Sequence, residues 1–152
     1  RFRLFSTRRM RVLACISTLL AVALAGDQSV GVHGRLLCGT EPLVGATVKL
    51  WELDTWPNPD DLLSTVETDK NGNFTIQGFE NEWGTIKPVL KIYHRCNNRG
   101  LFSIPNICKR KNVYKIPKSY ITKGQTPKTF YEFGTVNLEA KQRGEDTECI
   151  GK

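Results

Sequence analysis

Two histidines, His33 and His94, are all the chain offers for imidazole chemistry. A general base needs a proton donor and an orienting partner within hydrogen-bond reach, not a lone ring. His94 follows Leu90 and Ile92 at spacing two, so it reads as a strand-end side chain that bonds locally. Asp69, Asn71 and Asn73 alternate as calcium ligands do, with Glu80 at the twelfth position. Such a loop needs glycine at its sixth position. Here the sixth residue is Phe74 and the glycine, Gly72, is fourth, so the three polar residues read as a hairpin turn. No metal and no cofactor are expected. Asn73-Phe74-Thr75 is the one glycosylation sequon, which makes Asn73 the expected acceptor.

Cysteine chemistry points to staples. Cys15 lies in an N-terminal apolar run, which leaves Cys38, Cys96, Cys108 and Cys149. No C-x-x-C pair exists, which argues against zinc. An even number of cysteines in a short exported chain predicts two disulfides, for which four cysteines allow three connectivities. Cys96 and Cys108 flank a loop that holds Gly100 and Pro105, so that pair is expected to close locally. Cys38 with Cys149 is then the remaining pair and would tie down the polar tail.

Charge is unevenly placed. Residues 83–131 carry eleven basic residues and no acid, whereas residues 26–82 carry ten acids against three bases. Five of the 22 basic residues precede Val12, so residues 26–152 have a net charge of only +2. That balance excludes nucleic acid as an expected partner. Lys109, Arg110, Lys111, Lys115 and Lys118, with Tyr114 among them, form the candidate binding patch, suited to anionic lipid headgroups or sulfated glycans.

The elements that must carry these residues are short and β-rich. Turn signals recur every 8 to 12 residues, the rhythm of an all-β sandwich or barrel. Strands are predicted over Ser29–Cys38, Ala46–Asp54, Leu62–Thr68, a hairpin partner through Phe74 and Ile76, Ile86–Cys96, Val113–Ile116 and Tyr131–Ala140. Val30, Val32 and Leu36 share one face of the first, with His33 and Arg35 on the other. The run TWPNPDD at 55–61 reads as a loop, because proline removes ladder donors.

Before this domain, residues 1–25 read as a leader. Met10-Arg11 opens a signal peptide spanning Met10–Ala25, Val12–Leu24 is too short an apolar run to span a bilayer, and Ala23-Leu24-Ala25 is a small-x-small cleavage site. Cleavage is expected after Ala25, which gives a secreted, extracellular domain over 26–152.

The assembled motifs resemble the nematode transthyretin-like family. The matching residues are Gly34-x-Leu36-x-Cys38 followed by Pro42, then Val48-Lys49-Leu50-Trp51, and Thr68-Asp69-x-x-Gly72-x-Phe74. Pro88-x-Leu90-x-Ile92-x-His94-x-Cys96 and Gly134-Thr135-Val136-x-Leu138 complete the set. The resemblance implies a transthyretin-like (prealbumin-like) antiparallel β-sandwich of seven to eight strands, extracellular and with no assigned enzymatic activity; a non-enzymatic monomer or homodimer is expected. It supplies no single ligand, because members of the family do different things; one member bridges phosphatidylserine on dying cells to an engulfment receptor. The basic segment makes an extracellular lipid, glycan or receptor the expected partner, with peripheral membrane contact. A carrier of a small apolar ligand is the alternative. The same fold hosts 5-hydroxyisourate hydrolases, which use two histidines, an arginine and a C-terminal Tyr-Arg-Gly-Ser. His33 falls nine residues before Pro42, as in those enzymes, but the turn that should supply arginine reads Asp69-Lys70-Asn71-Gly72-Asn73 and the chain ends Glu148-Cys149-Ile150-Gly151-Lys152.

Overall fold

A computed structural model describes residues 25–55, 57–98 and 108–149. All of the expected leader but Ala25, and residues 99–107 of the loop after Cys96, lie outside the described residues. The described chain is a β-sandwich. Its strands are β1 (Ala25–Cys38), β2 (Glu41–Pro42), β3 (Thr47–Glu52), β4 (Asp61–Glu67), β5 (Asn73–Trp83), β6 (Pro88–His94), β7 (Cys108–Lys115), β8 (Thr122–Lys123), β9 (Phe130–Asn137) and β10 (Asp146–Cys149).

The first sheet is organised around β1. Strands β2, β5 and β8 pair with it antiparallel, and β9 pairs with it in parallel, shifting register between His33 and Gly34. The second sheet runs β10-β7-β6-β3-β4, antiparallel throughout. Period-2 alternation decides what lies between the sheets. Val30, Val32 and Leu36 of β1, Phe74 and Ile76 of β5, Val48 and Leu50 of β3, and Leu90 and Ile92 of β6 meet in one core. Each such side chain contributes about 1.5–3 kcal/mol on burial.

The turn between β4 and β5 shows how local chemistry sets the frame. Asp69 Oδ1 accepts the backbone N–H groups of Asn71 and Asn73, each at 2.8 Å. Gly72 has φ +77°, and a Cβ there would lie 2.3 Å from the Leu36 carbonyl oxygen. Gly72→Ala is therefore expected to cost about 1–3 kcal/mol, from left-handed strain and a backbone clash together. Guanidinium denaturation of the purified variant checks this.

The disulfide expectation is overturned. Cys38 pairs with Cys96, and Cys108 with Cys149. The reason is strand adjacency. Cys38 closes β1 in one sheet and Cys96 lies just past the end of β6 in the other, with 5.5 Å between their Cα atoms. Cys108 and Cys149 are register partners across β7 and β10. Nearness along the chain, which favoured Cys96 with Cys108, is outweighed by which strands lie side by side.

Strand β7 begins at Cys108, five residues before the predicted Val113. The polar run Lys109-Arg110-Lys111-Asn112 is laddered because its two inward residues, Arg110 and Asn112, find buried partners. Strand β10 carries no apolar alternation and is held by that ladder and by the Cys108–Cys149 bond.

Candidate functional site

Strand β7 splits the sequence-predicted patch between two environments. Alternation sends Lys109, Lys111, Val113 and Lys115 to the outer face of the second sheet, and Arg110, Asn112 and Tyr114 toward the core. Arg110 is 7% exposed and does not belong to an exposed patch, which corrects that part of the prediction. Its Nε and Nη2 donate to the two oxygens of Glu145 at 2.6 and 2.8 Å, a bidentate pair. Nη1 donates to the carbonyls of Cys96 and Glu139, and Nη2 also to that of Ala140.

The cluster continues inward. Asn112 Nδ2 donates to Glu145 Oε2 at 3.0 Å, and Asn112 Oδ1 lies 2.8 Å from His94 Nε2. The Cys96 N–H donates to His94 Nδ1 at 3.2 Å, so the ring proton sits on Nε2 and is given to Asn112. Burial holds the His94 imidazole below its ordinary range. Burial alone would push the Glu145 carboxyl up, but hydrogen bonds from Arg110, Asn112 and the Gln142 N–H bring it down to about 2. Both nitrogens of His94 are committed, which leaves no lone pair for base chemistry. The cluster is a clamp that joins β6, β7 and the segment before β10. His33 lies on the opposite sheet, half-exposed, with Nε2 at 2.6 Å from Glu132 Oε2.

The outer face of the second sheet gathers residues that the basic segment alone does not reveal. Register places Lys49 beside Lys91 and Val113, and Trp51 beside Val89 and Lys115. Thr47, Tyr93 and Lys111 form the neighbouring row. Lys91 Nζ lies 4.2 Å over the Trp51 ring, and Lys49 Nζ 5.2 Å over the Tyr93 ring, both cation–π contacts. The lysines are not equally free. Lys111 is bonded to Glu148 at 3.0 Å, which raises its pKa, and also faces Asp146. Lys91 contacts Asp60 at 3.4 Å, and Lys109 donates to the Thr47 hydroxyl at 3.2 Å. Among the described residues, no carboxylate forms an ion pair with Lys49, Lys109, Lys115 or Lys118.

The alternation within TVKLWE and PVLKIYH already sets Lys49 and Trp51 on one face of β3, and Lys91 and Tyr93 on one face of β6. That signal is in the sequence; the strand order that joins the two faces is not. Asn73 opens β5 and is exposed, on the first sheet and away from this face.

A family model described as the transthyretin-like family matches residues 33–117. Transthyretin-like protein 33 of Caenorhabditis elegans is 41% identical over 146 residues, covering 93% of this chain and 99% of that protein. Transthyretin-like protein 46 of the same organism is 44% identical over 138 residues, covering 87% of this chain and 75% of that protein. Transthyretin-like protein 5, also from Caenorhabditis elegans, is 38% identical over 142 residues, covering 93% and 99%.

Proposed function

The chain belongs to the transthyretin-like family, and we propose that it is an exported, non-catalytic recognition domain that docks on anionic surfaces through the outer face of its second sheet. One observation carries this reading: five lysines, Lys49, Lys91, Lys109, Lys111 and Lys115, share that face with Trp51 and Tyr93. Ammonium groups beside aromatic rings suit phosphate or sulfate groups presented on a lipid bilayer or a glycan. The commitment of both His94 nitrogens supports a non-catalytic role. Two disulfides support an oxidising, extracellular setting. A glycan on Asn73 would sit on the other sheet and leave the lysine face open.

The test is retention on heparin and co-sedimentation with phosphatidylserine vesicles, at low and physiological salt. Lys49→Ala, Lys109→Ala and Lys115→Ala together are expected to weaken binding about a hundredfold, at about 1 kcal/mol per lysine near an anionic surface. Lys111→Ala is expected to do little, because Glu148 already neutralises that ammonium. Binding should also fall as salt rises, since the Debye length is only about 8 Å at 0.15 M. Equal binding by wild type and the triple variant overturns the reading.

A further inference from the structure

At one end of this face the chain encloses a cleft of about 400 Å³ between the end of β3, the start of β6 and the turn after β7. Its floor is apolar: Leu53 is half-buried, and Pro88, Val89 and Ile116 are buried. Its rim is cationic: Lys87, Lys115 and Lys118 are all exposed, and among the described residues no carboxylate lines it. The frame is backbone. Leu53 N donates to the Lys87 carbonyl at 3.2 Å and Ile116 N to the Pro88 carbonyl at 3.0 Å. Lys87 N donates to Glu52 Oε1 at 3.1 Å, which fixes the rim from inside the core. Pro88 and Pro117 lock φ on two sides. A cleft held this way exists before a ligand arrives, so little ordering cost opposes binding. Its volume falls within the range of about 300–1,000 Å³ usual for small-molecule sites.

Three ammonium groups around an apolar floor complement a molecule with one anionic head and an apolar body. We infer that the cleft binds a small amphipathic organic anion, an alkyl or aryl carboxylate or sulfate. The head sits among Lys87, Lys115 and Lys118, and the tail lies on Leu53, Val89 and Ile116. This inference rests on the reading of the lysine face as anion-binding and adds a ligand class and a position to it. A neutral molecule of the same length gains only the floor. An inorganic anion gains only the rim.

The experiment is calorimetric titration of the intact mature protein with octanoate, with 1-octanol and inorganic sulfate as comparison ligands. Octanoate is expected to bind one per chain with Kd below about 1 mM, and each comparison ligand at least about tenfold more weakly. Leu53→Trp, which fills the floor and keeps every lysine, and Lys115→Glu with Lys118→Glu, which reverses the rim, are each expected to weaken octanoate at least about tenfold. Both variants should retain the wild-type circular dichroism spectrum. No binding of octanoate up to about 10 mM, equal affinity for 1-octanol, or unchanged affinity in folded Leu53→Trp overturns the inference. Heparin retention of Lys49→Glu, a residue outside the cleft, separates the two ideas. If Lys49→Glu loses retention while octanoate fails to bind, the surface reading stands and the cleft falls. If octanoate binds as expected while Lys49→Glu keeps full retention, the cleft stands and the surface reading falls.

Discussion

Glu145→Gln is expected to lower folding stability at pH 7 by about 3–5 kcal/mol, because it leaves the buried Arg110 guanidinium without its counter-charge. Both partners are nearly inaccessible, with side chains 8% and 4% exposed, so water cannot replace the lost oxygen. The acid limb of the stability curve gives an independent check. A folded-state pKa of about 2 against an ordinary 4.5 makes the Glu145 carboxylate worth about 3 kcal/mol. The unfolded chain takes up this proton first, so the contribution is present above pH 4.5 and is lost as pH falls toward 2. His94 acts in the same sense at higher pH. Its folded value is depressed, so stability already declines as pH falls below 6.5. Guanidinium midpoints measured from about pH 2 to 8 should show both limbs in wild type, and a shallower lower limb in Glu145→Gln, where Asp27 and Asp69 still hold depressed carboxyls. A variant within about 1 kcal/mol of wild type at pH 7 would show that the clamp is not a buried ion pair.

Removing either disulfide is expected to cost about 4 kcal/mol on the loop-closure account. The two loops, 58 and 41 residues in sequence separation, neither cross nor nest, so the two effects should add. Their consequences differ in kind. Cys38–Cys96 ties one sheet to the other, so Cys38→Ser with Cys96→Ser should lower the global midpoint and leave β10 paired with β7. Cys108–Cys149 ties the edge strand β10 to β7. Cys108→Ser with Cys149→Ser should release β10 first and weaken the Arg110–Glu145 pair that lies beside it. Hydrogen exchange distinguishes them: early loss of protection in 146–149 is expected only for the second variant. Non-reduced peptide mapping checks the connectivity itself, since a peptide joining Cys96 to Cys108 would refute both bonds at once.

Much of the sandwich was legible because its strands alternate. Val30, Val32, Leu36, Val48, Leu50, Leu90 and Ile92 all point inward as their spacing requires. Strand β7 was legible only in part. Nothing in Lys109-Arg110-Lys111 marks the middle residue as inward, because its partner Glu145 lies 35 residues later and depends on a strand with no apolar pattern. The disulfides failed for a related reason. Pairing depends on which strand ends meet across or within sheets, and that is tertiary information. Lys49 and Trp51 were on the right face in the sequence, yet their neighbours Lys91 and Tyr93 arrive only with the order β7-β6-β3. The transthyretin-like motifs supplied the architecture, but the proposed binding face lies partly outside them, at Lys109 and Lys115.

Every strand of the first sheet pairs with β1 and none of them replaces it, and β9 does so in parallel, with Gly31 matched to Phe130. A parallel partner so distant along the chain joins only after the long intervening segment has been placed, and such topologies fold slowly. As the chain emerges from ribosome or translocon, β1 can pair with β5 and Cys38 can meet Cys96 while the β9 side of β1 is still bare. Between those events one flank of the longest strand is an open template for another chain. The hazard during biogenesis is therefore concentrated in the interval before Phe130–Asn137 is released. If the chain is exported as proposed, chaperones of the secretory route would act on it in that window, after the first disulfide and before β9 docks.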